Sequence, residues 1–282
     1  MILTGAGVLL ILALFIWGPT VAGKKDNAAM RPAAKPKFNI EQAITMAKSR
    51  ITPSQQSYLA SLENSISRGN VAGQELEAAN RLANFWKDSI KLLEPYLFYL
   101  SKAAKLENSE KNLNFAAQFA LDAARREQID SVRDWKSDIA IELFEKAIVL
   151  NPNNDSLKVG LGSCYVLVKA MGGTDGQAAM KGVGILREVI AKDSTNMEAQ
   201  FVLAMGGAVS GQYDKAIPRL LKVLKAMPDD AQAMSVLADC YAASGQNAEA
   251  IKWYTESKRV ITNPAFIKEI DERIKQLKQT LR

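Results

Sequence analysis

The first 23 residues differ in pattern from the rest of the chain. They contain no charged side chain, and their centre, from Gly7 to Trp17, is continuously apolar. At about 1.5 Å of rise per residue, roughly 20 apolar residues in a helix cross the ~30 Å hydrocarbon layer of a membrane. The pattern therefore predicts one transmembrane helix over 1–23. A cleaved signal peptide is the alternative, since Thr20 to Ala22 resemble a cleavage site, but the basic region that begins such peptides is missing.

The following segment, 24–37, is rich in Ala, Pro and Lys, which predicts an extended linker. It carries an excess of basic side chains, and nothing basic except the α-amino group precedes the apolar segment. The positive-inside rule therefore places the body of the chain in the cytoplasm. We expect the basic side chains to touch anionic lipid; they are Lys24, Lys25, Arg31, Lys35 and Lys37.

Beyond residue 38, apolar residues recur at helical spacing, and we find no convincing strand-like alternation. Thr52 before Pro53 and Ser109 before Glu110 are typical of helix starts. Five amphipathic helices are predicted, at 38–50, 53–68, 72–92, 95–107 and 110–128.

From Trp135 onward the helices repeat. Ala216 is followed by Leu220 four residues later, by Val223 after three more and by Pro228 after another five. The same spacing recurs within 138–152, and a weaker version begins at Asn247. The helix before each such segment has its own pattern, as in Leu161-Gly162 followed by Tyr165.

These positions resemble the tetratricopeptide repeat, a helix pair with a repeat length of about 34 residues. One repeat length separates Leu203 from Leu237 and also Ala216 from Ala250, although the family's first Trp is missing. One unit is longer, since Leu161 and Leu203 are further apart than one repeat length. The extra residues fall around 171–177, either as a functional loop or as a tolerated surface loop.

The resemblance implies an all-α solenoid of antiparallel helix pairs, preceded by the transmembrane helix. A helical region at 38–110 would lead into tetratricopeptide-like repeats over 111–264, with a capping helix at 265–282. The clearest repeats are 155–196, 197–230 and 231–264.

In this family the first helix of each repeat lines a concave groove, which is the expected binding surface. By that resemblance the candidate partner-binding residues are Val159, Ser163 and Val166, then Phe201, Met205 and Ala208, then Ser235, Asp239 and Ala242. A largely apolar lining suits an amphipathic helix or an apolar peptide. The alternative is that the chain's own helices, such as those of 38–94, fill the groove.

Composition excludes many chemistries. The chain has no histidine, so Ser-His-Asp and Cys-His catalysis and histidine-ligated zinc are absent. The glycines around 171–177 lack the strand and the Gly-Lys-Ser/Thr of a phosphate-binding loop. Cys164 and Cys240 lie two repeats apart, too far for a disulfide, and are expected to be packed thiols. We therefore expect no catalytic residue, cofactor, metal or small-molecule substrate.

The net charge of +6 is concentrated in 24–37, so nucleic-acid binding is not expected. The sequence predicts a membrane-anchored, non-enzymatic scaffold, an accessory subunit or assembly factor of a bacterial inner-membrane complex, with its body in the cytoplasm. The alternative is a periplasm-facing folding or translocon helper with an uncleaved signal anchor.

Overall fold

The computed structural model describes residues 37–68, 72–170 and 176–280. Within these ranges all regular secondary structure is helical. No helix in the described ranges is long and apolar enough to cross a membrane. The predicted transmembrane helix at 1–23 lies outside the described residues, as does most of the 171–177 loop. Thirteen α-helices are described: α1 Ile40–Lys48, α2 Pro53–Arg68, α3 Ala72–Asn84, α4 Leu93–Glu107, α5 Glu110–Arg125, α6 Asp130–Leu150, α7 Asp155–Ser163, α8 Gly176–Lys192, α9 Met197–Val209, α10 Tyr213–Ala226, α11 Ala231–Ala243, α12 Asn247–Val260 and α13 Pro264–Thr280.

Helices α1 to α4 pack around an aromatic cluster. The structure has a helix in each of the five ranges predicted before residue 130, but the 72–92 prediction missed a break. After α3 the chain widens into a π-helical turn, Phe85–Ile90, and then reverses at Lys91, whose φ is 59°. The turn buries Trp86, which is fully shielded from solvent beside Phe85. Both rings belong to the buried cluster of this half of the chain.

The 38–94 helices do not fold back into the predicted groove. Their buried side chains form a cluster with α4, and the clusters around α9 contain no residue of 38–94. The next cluster joins α4 to α8, so the helices form a continuous series of packed neighbours. A Cβ on Gly160 would lie 2.5 Å from Phe144 Cε1, which explains why α7 can approach α6 so closely.

The repeat units share their helix boundaries. Asn154, Asn196 and Asp230 cap α7, α9 and α11, each accepting a hydrogen bond from a backbone N–H in the first helical turn. The turns after α9 and α11 contain Gly211 and Gly245, with φ of 73° and 78°, a conformation that disfavours other residues. The first helix of each repeat therefore starts in the same way. The successive helix pairs are α7/α8, α9/α10 and α11/α12.

Helix α13 packs on the last pair. Ile270 is buried, and Ile274 and Leu277 pack beside it against a cluster that includes Ala250 and Tyr254. By contrast, Phe266 is exposed. The helix covers the apolar end of the series with one stripe, as end helices of repeat arrays do.

Candidate functional site

The predicted groove is closed in its first unit. The exposed fractions of Val159, Ser163 and Val166 are 0%, 5% and 4%. The two valines pack in a cluster with residues of α8 and α9, including Leu186 and Leu203. The following helices therefore bury this part of the predicted surface, and Val159 and Ser163 cannot contact a partner in this structure.

The predicted groove is also occupied in its third unit, at α11. Arg273 of α13 and the hydroxyl of Tyr254 both donate hydrogen bonds to the same carboxylate oxygen of Asp239. Burial, followed by the hydrogen bond to Asp239, raises the pKa of Tyr254 to about 12. Ala242 packs against the α13 cluster, and Ser235 Oγ donates to the Ala231 carbonyl. Helix α13 thus uses much of this surface for its own docking.

The middle unit keeps its predicted residues accessible. Phe201, Met205 and Ala208 are half-buried along α9, and the neighbouring Val209 is 65% exposed. Phe201 and Ala208 rest against the cluster that includes α10 and α11, whereas Met205 rests against the cluster of α7 and α8. We call Phe201, Met205, Ala208 and Val209 the α9 face. It is an apolar strip supported on both sides by buried residues.

A cavity of about 590 Å³ lies where α8, α9 and α10 meet, and it borders the α9 face at Val209. We call it the α8–α10 pocket. Val166 and Leu203 line it and are buried, Val183 is half-buried, and Met180 is 77% exposed. Its α9 side includes Gly206 and Gly207 rather than the residues at the centre of the α9 face.

The polar lining of this pocket is basic. Arg187, Lys215 and Arg219 all line it, and no carboxylate does among the described residues. Lys215 donates to Gln212 at 2.7 Å and Arg219 donates to Gln200 at 2.5 Å. Burial, together with the nearby charge of Arg187, lowers the pKa of Arg219. The pocket therefore holds like charges close together.

A second cavity, of about 680 Å³, lies among α1, α4 and α6 and has an apolar rim that includes Met46 and Ile129. Its acids, Glu94 and Glu127, already bind one buried cation, Lys136, at 3.0 and 2.7 Å. The hydrogen bond from Lys136 is the main cause of the lowered pKa of Glu127. This triad pairs both acids of the cavity lining within the protein, and Arg50 also lines the cavity.

The two cysteines and several acidic side chains have structural roles. Both cysteines are buried and unbridged. Burial raises the pKa of both thiols, that of Cys240 to about 11. Asp230 caps α11, and Glu269 and Asp271 pair with basic side chains. No group of potential metal ligands occurs in the described part of the chain. Of the predicted lipid contacts, Lys37 is described and is exposed; the other four lie outside the described residues.

The sequence pattern did not reveal the three basic residues of the α8–α10 pocket. They come from two helices and share no short motif. A signal was present nonetheless. The tyrosine that follows Leu161 and Leu237 by four residues is replaced, after Leu203, by Gly207.

Comparison with known proteins supports the repeat assignment. Residues 210–259 match the family model described as tetratricopeptide repeat. A tetratricopeptide repeat protein from Parabacteroides merdae has a similar fold, with a TM-score of 0.54 and 16% identity over 85% of this chain and 87% of that one. YrrB, described as a TPR protein with an unusual peptide-binding site, aligns with 75% of this chain and 97% of its own, at 19% identity and a TM-score of 0.44.

One curated relative is similar in sequence. It is the putative cytochrome c-type biogenesis protein CcmH of Haemophilus influenzae, which is 30% identical over 125 residues. The match covers 43% of this chain and 26% of the relative, so the chain spans about a quarter of that protein's length.

Proposed function

Since the chain is a tetratricopeptide-repeat protein, we propose that its helical body is a non-enzymatic scaffold for protein–protein interaction. The observation that carries the proposal is the α9 face, where Phe201, Met205 and Ala208 are half-buried and Val209 is 65% exposed. A partner helix or apolar peptide would cover this strip in the helix-in-groove mode. Such a partner would bind the middle unit, because α8 and α9 bury the first unit and α13 docks on the third.

The scaffold acts at a membrane in this proposal. The support is the apolar sequence of 1–23 and the basic linker of 24–37, both read from the sequence. Tethering would raise the effective concentration of the α9 face for partners in the same membrane. The CcmH relative is named for cytochrome c-type biogenesis, which supports an assembly role. We therefore propose an assembly factor or accessory subunit of an inner-membrane complex.

The side of the membrane separates two versions of this proposal. The charge of 24–37 favours a cytoplasmic body, whereas a folding or translocon helper with an uncleaved signal anchor would face the periplasm. Protease added to intact spheroplasts distinguishes them. Cleavage of the body only after lysis supports the cytoplasmic version, and cleavage in intact spheroplasts supports the periplasmic one.

The scaffold itself is tested by affinity purification of the full-length protein in mild detergent. Met205→Asp places a charge in the α9 face, and Lys146→Asp is a control on an exposed position of α6. We expect one dominant membrane-associated protein to copurify with the wild type and the control and to be lost with Met205→Asp. Circular dichroism checks that each variant is folded. An unchanged set of copurifying proteins in the folded Met205→Asp variant would contradict the proposal.

A further inference from the structure

Two successive repeat units differ at one shared site. In the unit 155–196, Lys181 Nζ lies 2.5 Å from the Tyr165 hydroxyl and 4.4 Å from the centre of its ring. The same amine lies 3.4 Å from Glu145 Oε1 on the preceding helix, α6. An aromatic ring therefore covers this site, and a carboxylate balances its cation.

In the next unit the equivalent positions hold Gly207, Lys215 and Arg187. Lys215 follows Lys181 by one repeat length. Gly207 corresponds to Tyr165 and Arg187 to Glu145, at a longer interval, because the extra residues around 171–177 lie between the two members of each of these pairs. The ring is thus missing, and an arginine replaces the carboxylate. All three residues line the α8–α10 pocket, which occupies the site that is filled one repeat earlier.

The pocket has the chemistry of an anion-binding site with apolar walls. Arg187, Lys215 and Arg219 form no salt bridge with any carboxylate in the described ranges, whereas Lys181 has one in the preceding unit. Three basic side chains that line one cavity, with no carboxylate among its described lining residues, favour an anionic partner. Val183 and the exposed side chains of Met180 and Val209 provide apolar contact area beside the charges.

We propose that the α8–α10 pocket is a second binding site, which takes an acidic segment of a partner protein with an apolar side chain next to its carboxylates. The carboxylates pair with Arg187, Lys215 and Arg219, and the apolar side chain packs on Val183. This site goes beyond the proposed function, which rests on the α9 face. The chain's own linker at 24–37 is a poor occupant, because it is basic and the pocket repels it.

The chain itself supplies the variants that close the pocket. Gly207→Tyr restores the ring that Tyr165 provides in the preceding unit. In the following unit Tyr241 packs against the cluster that contains Ala250, so a tyrosine fits at this position beside an alanine. A Cβ on Gly207 would lie 3.3 Å from Ala216 Cβ, a contact that a small shift relieves. Arg187→Glu is a milder change on an exposed position, and it restores the carboxylate that Glu145 provides. Lys222→Glu is the control, with a similar charge change on an exposed position of α10 outside the pocket.

The probe is a display library of random short peptides, selected on the full-length protein in mild detergent. We expect the wild type to enrich peptides that combine Asp or Glu with Leu, Ile or Phe. One enriched peptide is then synthesised, with a version in which Asn and Gln replace its acids, and binding is followed by fluorescence anisotropy. Arg187→Glu is expected to weaken binding of the acidic peptide by about tenfold or more, which is the scale of one lost charge-assisted contact. Gly207→Tyr is expected to abolish binding, and Lys222→Glu to leave it within about twofold.

Three results would overturn the proposal. The selection yields no acidic enrichment, or the neutral version of the peptide binds equally well, or the folded Arg187→Glu and Gly207→Tyr variants bind like the wild type. Short-chain phosphatidylglycerol is added as a competitor. If it binds with the same dependence on Arg187 while no peptide is enriched, the pocket is a lipid site and the proposal is wrong.

Discussion

Replacing Lys136 with methionine tests the buried charge cluster of the amino-terminal half. The lysine is 2% exposed, and its amine lies 3.0 Å from Glu94 and 2.7 Å from Glu127, two carboxylates with exposed fractions of 29% and 16%. Lys136→Met keeps most of the side-chain volume but leaves both carboxylates without their cation. Breaking a buried ion pair on one side costs about 3–5 kcal/mol. Because the acids are partly exposed, we expect a loss of free energy of unfolding of about 3 kcal/mol.

The assay is urea denaturation of the full-length protein in mild detergent, followed by circular dichroism. The hydrogen bond from Lys136 lowers the pKa of Glu127 in the folded protein, so this stabilisation is present above the ordinary glutamate pKa of 4.5 and is lost as pH falls through the lower folded value. The difference between wild type and variant should therefore shrink in acid. Lys146→Met, on an exposed position of α6, is the control. A loss below about 1 kcal/mol at neutral pH, or a difference that does not change with pH, would refute the reasoning.

The remaining predictions concern packing, capping and thiol reactivity. Gly160→Ala is expected to cost about 1–3 kcal/mol in urea denaturation, since its Cβ would meet Cε1 of the buried Phe144 ring at 2.5 Å. Gly184→Ala, which meets nothing within 4 Å inside α8, should be neutral or stabilising by up to about 1 kcal/mol, and equal losses at the two sites would contradict the packing account. Asn196→Ala removes the side-chain cap of α9 and should lower stability by about 0.5–2 kcal/mol in the same assay. Burial raises the pKa of Cys240 to about 11, so this thiol should react with iodoacetamide at pH 8 only after denaturant is added. Rapid reaction of the folded protein would contradict its burial.

The repeat architecture follows from spacing alone. The interval between Leu203 and Leu237 reflects one helix pair, and packing of small and large apolar residues at fixed intervals leaves few other arrangements. The interruption at Phe85–Ile90 was not predictable, because a π-helical turn has no short sequence signature and depends on how Trp86 packs.

The binding surface was less predictable than the fold. The resemblance to the repeat family predicts which residues face the groove, but whether a neighbouring helix covers them depends on the angle between repeats. Val159 is buried by the next pair, and Asp239 is engaged by Arg273 of α13, one repeat length further along the chain. The α8–α10 pocket is the opposite case, a surface that the sequence did not predict and that the fold leaves open. It is recognised only in the folded chain, by comparing Gly207 with the tyrosine of the preceding repeat.

The most direct test of the scaffold is photo-crosslinking in living cells. A photoreactive phenylalanine analogue replaces Ala208 in the α9 face, and in a matched protein it replaces Lys146, on the exposed side of α6. The account predicts an adduct with one membrane-associated protein from position 208 and none with that protein from position 146. Its loss when Met205→Asp is added would confirm the α9 face as the contact. No adduct at position 208, or the same adducts from both positions, would contradict the claim that this face holds a partner.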